Sequence, residues 1–219
     1  MTQRAYGAGS RPLRADARRN YGQILAVARD LFVEQGSGAS LEEIARRAGV
    51  GIGTLYRRFA DRQTLMRAVV LDALTQTNET ADKAGREEAN AFDALARYMH
   101  AALDLRVSAV IPALLDQVDL DDAVLLPARE ASARSVERLV DAAHAEGSLS
   151  GEVTFGDIGL MLVRLARPLP GPIPPELNDE LAHRHLDLLV AGLRSSTGER
   201  PTLPGPALSH RDLEDLADG

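Results

Sequence analysis

Two pairs of adjacent arginines, Arg46-Arg47 and Arg57-Arg58, stand on either side of the glycine turn Gly49-Val50-Gly51. A guanidinium is planar and permanently charged, and its forked donors bind phosphate or read guanine through two parallel hydrogen bonds. Thr54 and Tyr56 sit beside the second pair, with hydroxyls suited to phosphate oxygens. Ile52, just ahead, offers an apolar surface for a thymine methyl. Arg62 stands at the start of another helical stretch, whose first N–H groups suit a further phosphate. One arginine pair alone reads as a solvated helix face. Here two pairs flank a tight turn, and the chemistry they point to is nucleic-acid binding.

The charge distribution agrees. The chain of 219 residues has a formal net charge of −7. Residues 1–67 nevertheless hold 12 arginines against 6 acidic residues, a net +6, and residues 68–219 hold 13 basic against 26 acidic residues, a net −13. A basic head on an acidic body places nucleic acid at one end only. Lys83 is the sole lysine, which coding bias explains and from which no function is drawn.

The elements that position these residues are helical. Residues 1–15 carry Arg4, Arg11 and Arg14 among Gly, Ser and Pro, and read as a flexible basic arm able to enter a minor groove or simply to aid solubility. From Tyr21, apolar residues recur at Ile24, Leu25, Ala28, Leu31 and Phe32, the spacing of an amphipathic helix that Gly36 and Gly38 end. Ser40 and Glu43 form a capping-box pattern ahead of Leu41, Ile44, Ala45 and Ala48. A third, short helix runs from about Ile52 to Phe59. Its Leu55 and Phe59 point to the core, while Thr54, Arg57 and Arg58 share the opposite side and Tyr56 lies at the edge. Helix, glycine-centred turn and short helix have helix-turn-helix spacing, with the second helix suited to a major groove. Asp61 caps a fourth helix expected to reach about Asp82, before a polar break at Lys83–Asn90 around Gly85.

Beyond it, stripes through Phe92, Leu95, Met99 and Leu103, through Val136, Leu139 and Val140, through Ile158, Met161 and Leu162, and through Leu181, Leu188, Leu189 and Leu193 predict further helices. Pro112 interrupts one piece, Pro127 suits a first turn, Thr154 caps another helix, and Pro168–Pro175 is a stiff connector. Residues 196–219 read as a loose tail in which Arg211–Ala217 could form a helical turn. The fold class is all-α: a flexible arm (1–15), a helix-turn-helix domain (16–67), a helical bundle (68–195) and the tail.

The stretch 40–67 resembles the DNA-binding domain of TetR-family transcriptional regulators. The matching residues are Ser40, Ile44-Ala45, Ala48-Gly49-Val50, Gly53-Thr54-Leu55-Tyr56, Phe59 and Asp61-Arg62. The resemblance is close over about residues 20–68 and reaches the rest only as an all-α body of fitting length. It implies nine or ten helices and a homodimer binding a palindromic operator in double-stranded DNA. It also implies a body that binds a small-molecule effector and, as the family's usual sign, repression relieved by that effector. By position, Thr54, Tyr56, Arg57 and Arg58 would lie at DNA, Ile52 at the groove floor, and Ser40 and Arg62 on the backbone. Two positions depart from the family: Gly51 stands where Ser is common, and Arg58 where His or Tyr is common.

Pocket candidates are polar groups on apolar helical stretches, His100, Arg106, His144 and Arg164, with Phe92, Met99 and Met161 as apolar lining. For each, a surface, salt-bridge or core role competes. The helices around 154–167 and 177–194 are the expected dimer interface, although their stripes equally suit intrachain core.

Other chemistries find little footing. Cysteine is absent, so thiolate metal sites and a Cys nucleophile are excluded. Residues 49–53, GVGIG, lack the spacing and the preceding strand of a dinucleotide loop. His183 and His185 point roughly 200° apart on a helix, His100 and Asp104 make two ligands at best, and no metal or other cofactor is expected. Serines lack a nucleophile-elbow context, so no catalytic residue is expected and the chain does not read as an enzyme. No stretch approaches a membrane span and no apolar leader comes after Met1, which fits a cytoplasmic protein. Three functions stay open: a ligand-responsive regulator; a DNA-binding regulator or architectural protein without a small-molecule effector, which a body lacking a cavity would favour; and an all-α enzyme or adaptor with an incidental basic head.

Overall fold

The computed structural model describes residues 10–194 and 203–217, and these form an all-helical molecule. In chain order the helices are α1 (Ser10–Gln35), α2 (Leu41–Arg47), α3 (Ile52–Arg58), α4 (Arg62–Glu87), α5 (Ala91–Asp104), α6 (Val107–Leu114), α7 (Leu125–Ala145), α8 (Phe155–Leu165), α9 (Pro175–Leu193) and α10 (His210–Ala217). A single 3-10 turn, Gly36–Gly38, joins α1 to α2. No strand forms among the described residues beyond one isolated antiparallel bridge, Leu149 to Arg194.

The apolar spacing of α1 buries Ile24, Leu25, Ala28, Leu31 and Phe32, and these meet Ile44 of α2, Leu55 of α3 and Phe59 in one core. Tyr21 stacks on Phe59, ring centres 5.3 Å apart. Burying Phe59 and Leu55 rather than exposing them is worth about 1.5–3 kcal/mol each. α4 carries this core into the body. It packs against α1 on one side and against α5, α6 and α7 on the others, while α6 also touches α1.

One buried pair ties head to body. Arg29 of α1 is 6% exposed and donates to Asp72 of α4 at 3.3 Å, where Gln76 donates as well. Burial pulls the Arg29 guanidinium below its ordinary value, against the opposing pull of Asp72 and Asp30. Burial likewise pushes the Asp72 carboxyl up, against Arg29 and the Gln76 hydrogen bond. In both partners desolvation outweighs attraction, so the pair fixes geometry more than it adds stability.

Several expected boundaries move. α1 begins at Ser10, so residues 10–15 of the expected arm are helical; residues 1–9 lie outside the described residues. α4 does not stop near Asp82 but runs through Gly85 to Glu87, its buried face continuing through Ala81 and Ala84. Pro112 lies inside α6 rather than ending it. The tail is not uniformly loose: residues 203–217 return to α8 and form α10, while 195–202 and 218–219 lie outside the described residues. Thr154 caps α8 in a complete capping box with Asp157.

Replacing Asp72 by Ala strands Arg29 in the head–body seam. Urea denaturation is expected to show a loss of roughly 2–3 kcal/mol, whereas Arg29→Met, which removes the charge and keeps the volume, is expected to be close to neutral.

Candidate nucleic-acid interface and body cavity

The turn between α2 and α3 is built by Gly49. Its φ of +66° lets the Val50 N–H reach the Ala45 carbonyl at 3.0 Å and the Gly49 N–H reach that of Arg46 at 3.2 Å, closing the end of α2. Gly51 then caps α3 through its backbone alone, its carbonyl accepting from Thr54 at 2.8 Å.

On α3 only Leu55 is buried. Ile52 is 38% and Tyr56 48% exposed, unusual for such apolar bodies, and they share the open surface with Arg57 and Arg58. Thr54 is half-buried, and Arg57 donates to its hydroxyl at 2.8 Å. Neither Arg57 nor Arg58 meets a carboxylate among the described residues.

The other arginine pair is neutralised. Glu43 accepts from Arg46 at 2.6 and 2.7 Å and from Arg47 at 2.7 Å, and Glu34 accepts from Arg47 at 3.4 Å. These guanidiniums hold the Glu43 carboxyl down at about 2, from an ordinary 4.5. They also explain why the expected capping box is half-formed. The Ser40 hydroxyl accepts from the Glu43 N–H at 3.2 Å, but the Glu43 carboxylate turns to two cations instead of reaching back to the Ser40 N–H. The Ser40 hydroxyl itself donates to Glu42 at 3.0 Å.

Asp61 caps α4, accepting from the Thr64 N–H at 2.7 Å. Arg62 turns inward. It donates to the Ser37 carbonyl at 2.9 Å and the Ala39 carbonyl at 2.5 Å, holding the α1–α2 connection on α4. The structure therefore leaves Ile52, Tyr56, Arg57 and Arg58 exposed on α3, with Thr54 half-buried between the two arginines. Ser40 stays exposed at the start of α2, whereas Arg62, expected on the DNA backbone, is bound to the protein's own Ser37 and Ala39 carbonyls.

The pocket candidates are scattered. Phe92 is buried with the Arg194 guanidinium 4.2 Å above its ring, and Met99 is buried core. His144 meets the Ser150 carbonyl at 3.1 Å, and Arg164 is exposed. Arg106, with φ +48°, pairs with Asp179 of α9 at 3.1 Å and approaches Glu34 of α1 at 3.9 Å. His100 and His183 face each other, Nδ1 to Nδ1, at 2.9 Å, with His100 Nε2 at Asp187 (3.1 Å) and His183 Nε2 at Asp104 (2.7 Å). The ring planes agree within 3° at a centre separation of 5.2 Å, which equals the Nδ1–Nδ1 distance plus two ring radii. The rings thus meet edge to edge, Nδ1 to Nδ1. Among the described residues no group of three metal-ligating side chains gathers.

A cavity of about 410 Å³ lies elsewhere in the body, within the usual range for small-molecule sites. Leu74 and Thr77 of α4, Tyr98 of α5, Ile111 of α6, Val136 of α7 and Ile158 of α8 line it, together with Leu120, Arg129, and His210 and Leu213 of α10. None of Phe92, Met99, His100, Arg106, His144, Met161 or Arg164 lines it. Sequence reasoning missed its residues because Tyr98 and Val136 fall on the same helical stripes as ordinary core.

A sequence profile described as "Bacterial regulatory proteins, tetR family" matches residues 24–69. An HTH-type transcriptional regulator of Staphylococcus aureus is 41% identical over 59 residues, 26% of this chain and 32% of its own length, so that match spans about a third of the relative. The crystal structure of the TetR transcription regulatory protein from Mycobacterium vanbaalenii is 30% identical, covers 84% of this chain and 100% of its own, and superposes with a TM-score of 0.56. A TetR transcriptional regulator from Streptomyces coelicolor is 28% identical, covering 80% of this chain and 99% of its own, also with a TM-score of 0.56.

The two arginine pairs should behave differently. Arg57→Ala with Arg58→Ala is expected to weaken duplex DNA binding by ten-fold or more and to lower the slope of log affinity against log salt by about 2. Arg46→Ala with Arg47→Ala should change affinity only a few-fold; fluorescence anisotropy over a salt series reads both. Glu43 makes a pH prediction. Its folded pKa is depressed, so its contribution is present above about 4.5 and is lost as pH falls towards about 2. The stability difference between the chain and Glu43→Gln, small because solvent screens a surface cluster of this kind, should therefore shrink from pH 6 to pH 2.5 in urea unfolding.

Proposed function

The chain belongs to the TetR family of DNA-binding transcriptional regulators, and on that premise we propose that it is a repressor released from a palindromic operator by a small molecule. The observation that carries the DNA half is the open face of α3, where Ile52, Tyr56, Arg57 and Arg58 stand together without a carboxylate among the described residues. An α-helix with this face suits the major groove, where Arg57 or Arg58 reads a guanine edge or grips phosphate and Ile52 meets a thymine methyl. The Thr54 and Ser40 hydroxyls border the phosphates.

Two such heads on a homodimer match a palindrome with half-sites about one DNA turn or somewhat more apart. The exposed leucines of α9, Leu188 and Leu189, support this helix as part of the dimer contact; Leu188 is 63% exposed in the single chain.

The cavity supports the effector half and favours it over a regulator without one. Its wall includes α4, the helix directly after α3. Near its head end α4 is held to the loop before α7. Arg67 grips Asp122 at 2.5 and 2.7 Å, and Gln63 donates to the Gln117 carbonyl. Leu120 of that loop lines the cavity, and Asp121 pairs with Arg129 at its edge. Ligand pressure on residues 120–122 thus reaches α4 through an ion pair and reorients α3. Linkage then requires the ligand to prefer the arrangement that DNA does not.

Selection of random duplexes by the purified protein is expected to return a palindromic consensus, with affinity falling steeply as salt rises. Folded, dimeric protein that enriches no sequence at moderate salt would overturn the repressor reading.

A further inference from the structure

The cavity has a chemistry of its own and a wall supplied by the end of the chain. Its ligand class rests on the lining alone; only the consequence at DNA rests on the effector reading. Arg129 is the only permanently charged side chain among the described residues of the lining, and it pairs with Asp121 at 2.9 Å. A charged ligand therefore meets a wall already neutralised. The Thr77 and Ser132 hydroxyls are engaged on their own helices, by the Ala73 carbonyl at 2.9 Å and the Arg129 carbonyl at 2.8 Å. Tyr98 is different. It is 3% exposed, lines the cavity and makes no hydrogen bond among the described residues. Burial pushes its phenol above the ordinary value, so it stays a protonated donor. A buried hydroxyl without a protein partner, at the edge of an apolar space, is a place for a ligand oxygen.

The segment 203–213 is docked by specific contacts. The Leu208 carbonyl accepts from the Gly156 N–H at 3.0 Å and from the Thr154 hydroxyl at 2.9 Å, and the Leu203 N–H donates to Glu152 at 2.7 Å. Only glycine permits this approach, since a Cβ at position 156 would lie 2.2 Å from the Leu208 carbonyl oxygen. Ser209 and Asp212 then cap α10 reciprocally, and His210 meets Phe155 edge to face, ring centres 5.2 Å apart. His210 and Leu213 complete the lining.

We propose that this cavity binds an uncharged, apolar molecule bearing a carbonyl or hydroxyl oxygen that accepts from Tyr98, and that α10 closes the site over it. The cavity persists with α10 in place, which makes the segment a wall rather than a plug.

The test is fluorescence titration of the full chain, without DNA, using Nile red, an uncharged dye with a ring ketone, against the sulfonate dye 1-anilinonaphthalene-8-sulfonate. Nile red should saturate, with the sulfonate at least about ten-fold weaker. Tyr98→Phe should weaken Nile red about five-fold, the loss of one hydrogen bond. Gly156→Ala should weaken it several-fold by lifting the segment, as should His210→Ala with Leu213→Ala, which adds no backbone strain. Thermal melts confirm that each variant folds. No saturable binding of Nile red, preference for the sulfonate, or affinity unmoved by all three variants would overturn the assignment. Tighter binding on lifting the segment would overturn the wall in favour of a plug. Nile red bound as expected but without effect on DNA affinity would instead sink the effector reading and leave the site standing.

Discussion

The burial of one helix along a single core that runs from head to body is the constraint on which the molecule depends. α4 presents Leu65, Met66 and Val69 near the head and Ala73, Leu74, Ala81 and Ala84 further along the body, without a break between them. A head of three helices is small for an independent core, and here it does not have to supply one. The seam is specified by a pair that adds little net energy. Arg29 and Asp72 are each penalised by desolvation, yet either without the other costs more, so the register of α1 on α4 is defined by what misalignment would strand.

The surface obeys a second constraint, of charge. The head carries an excess of arginine, but not all of it is offered outward. Glu43 gathers Arg46 and Arg47, Arg62 is absorbed by two loop carbonyls, and Arg29 is buried. Among the described residues, what stays open is the face of α3. A charge count on the sequence finds the right end of the molecule, while the hydrogen bonds decide which helix of it presents the cations.

The helical class, the glycine turn and the two faces of α3 were legible because they rest on local spacing. Where the reading failed, a competitor distant in space or unseen in pattern had won. Ser40 and Glu43 spell a reciprocal cap, but the pattern does not weigh two guanidiniums one turn away. Gly85 looks like a helix breaker, but Ala81 and the adjoining Ala84 are buried and α4 is packed along α7 there. The tail looks loose by composition, because its docking depends on the missing side chain of Gly156, far earlier in the chain. The cavity was hidden for a related reason. Tyr98 and Met99 are neighbours on one buried stripe, and only the packing of α4, α7 and α8 around α5 leaves space beside the first and none beside the second. The seven pocket candidates were chosen for polarity or bulk, and in a helical bundle polarity marks interhelical ties such as Arg106 to Asp179 more often than ligand contacts.

The continuity of α4 through Gly85 has a mechanical meaning. Twenty-six residues of unbroken helix make a rod about 39 Å long. A rod of that length turning by about 5° at one end carries the other through about 3 Å, close to the rise of one base pair. A helix broken near residue 83 would absorb such a turn in the break. The unbroken one would convert an angle at its far end, beside α7, into a displacement at the head close to one base-pair step.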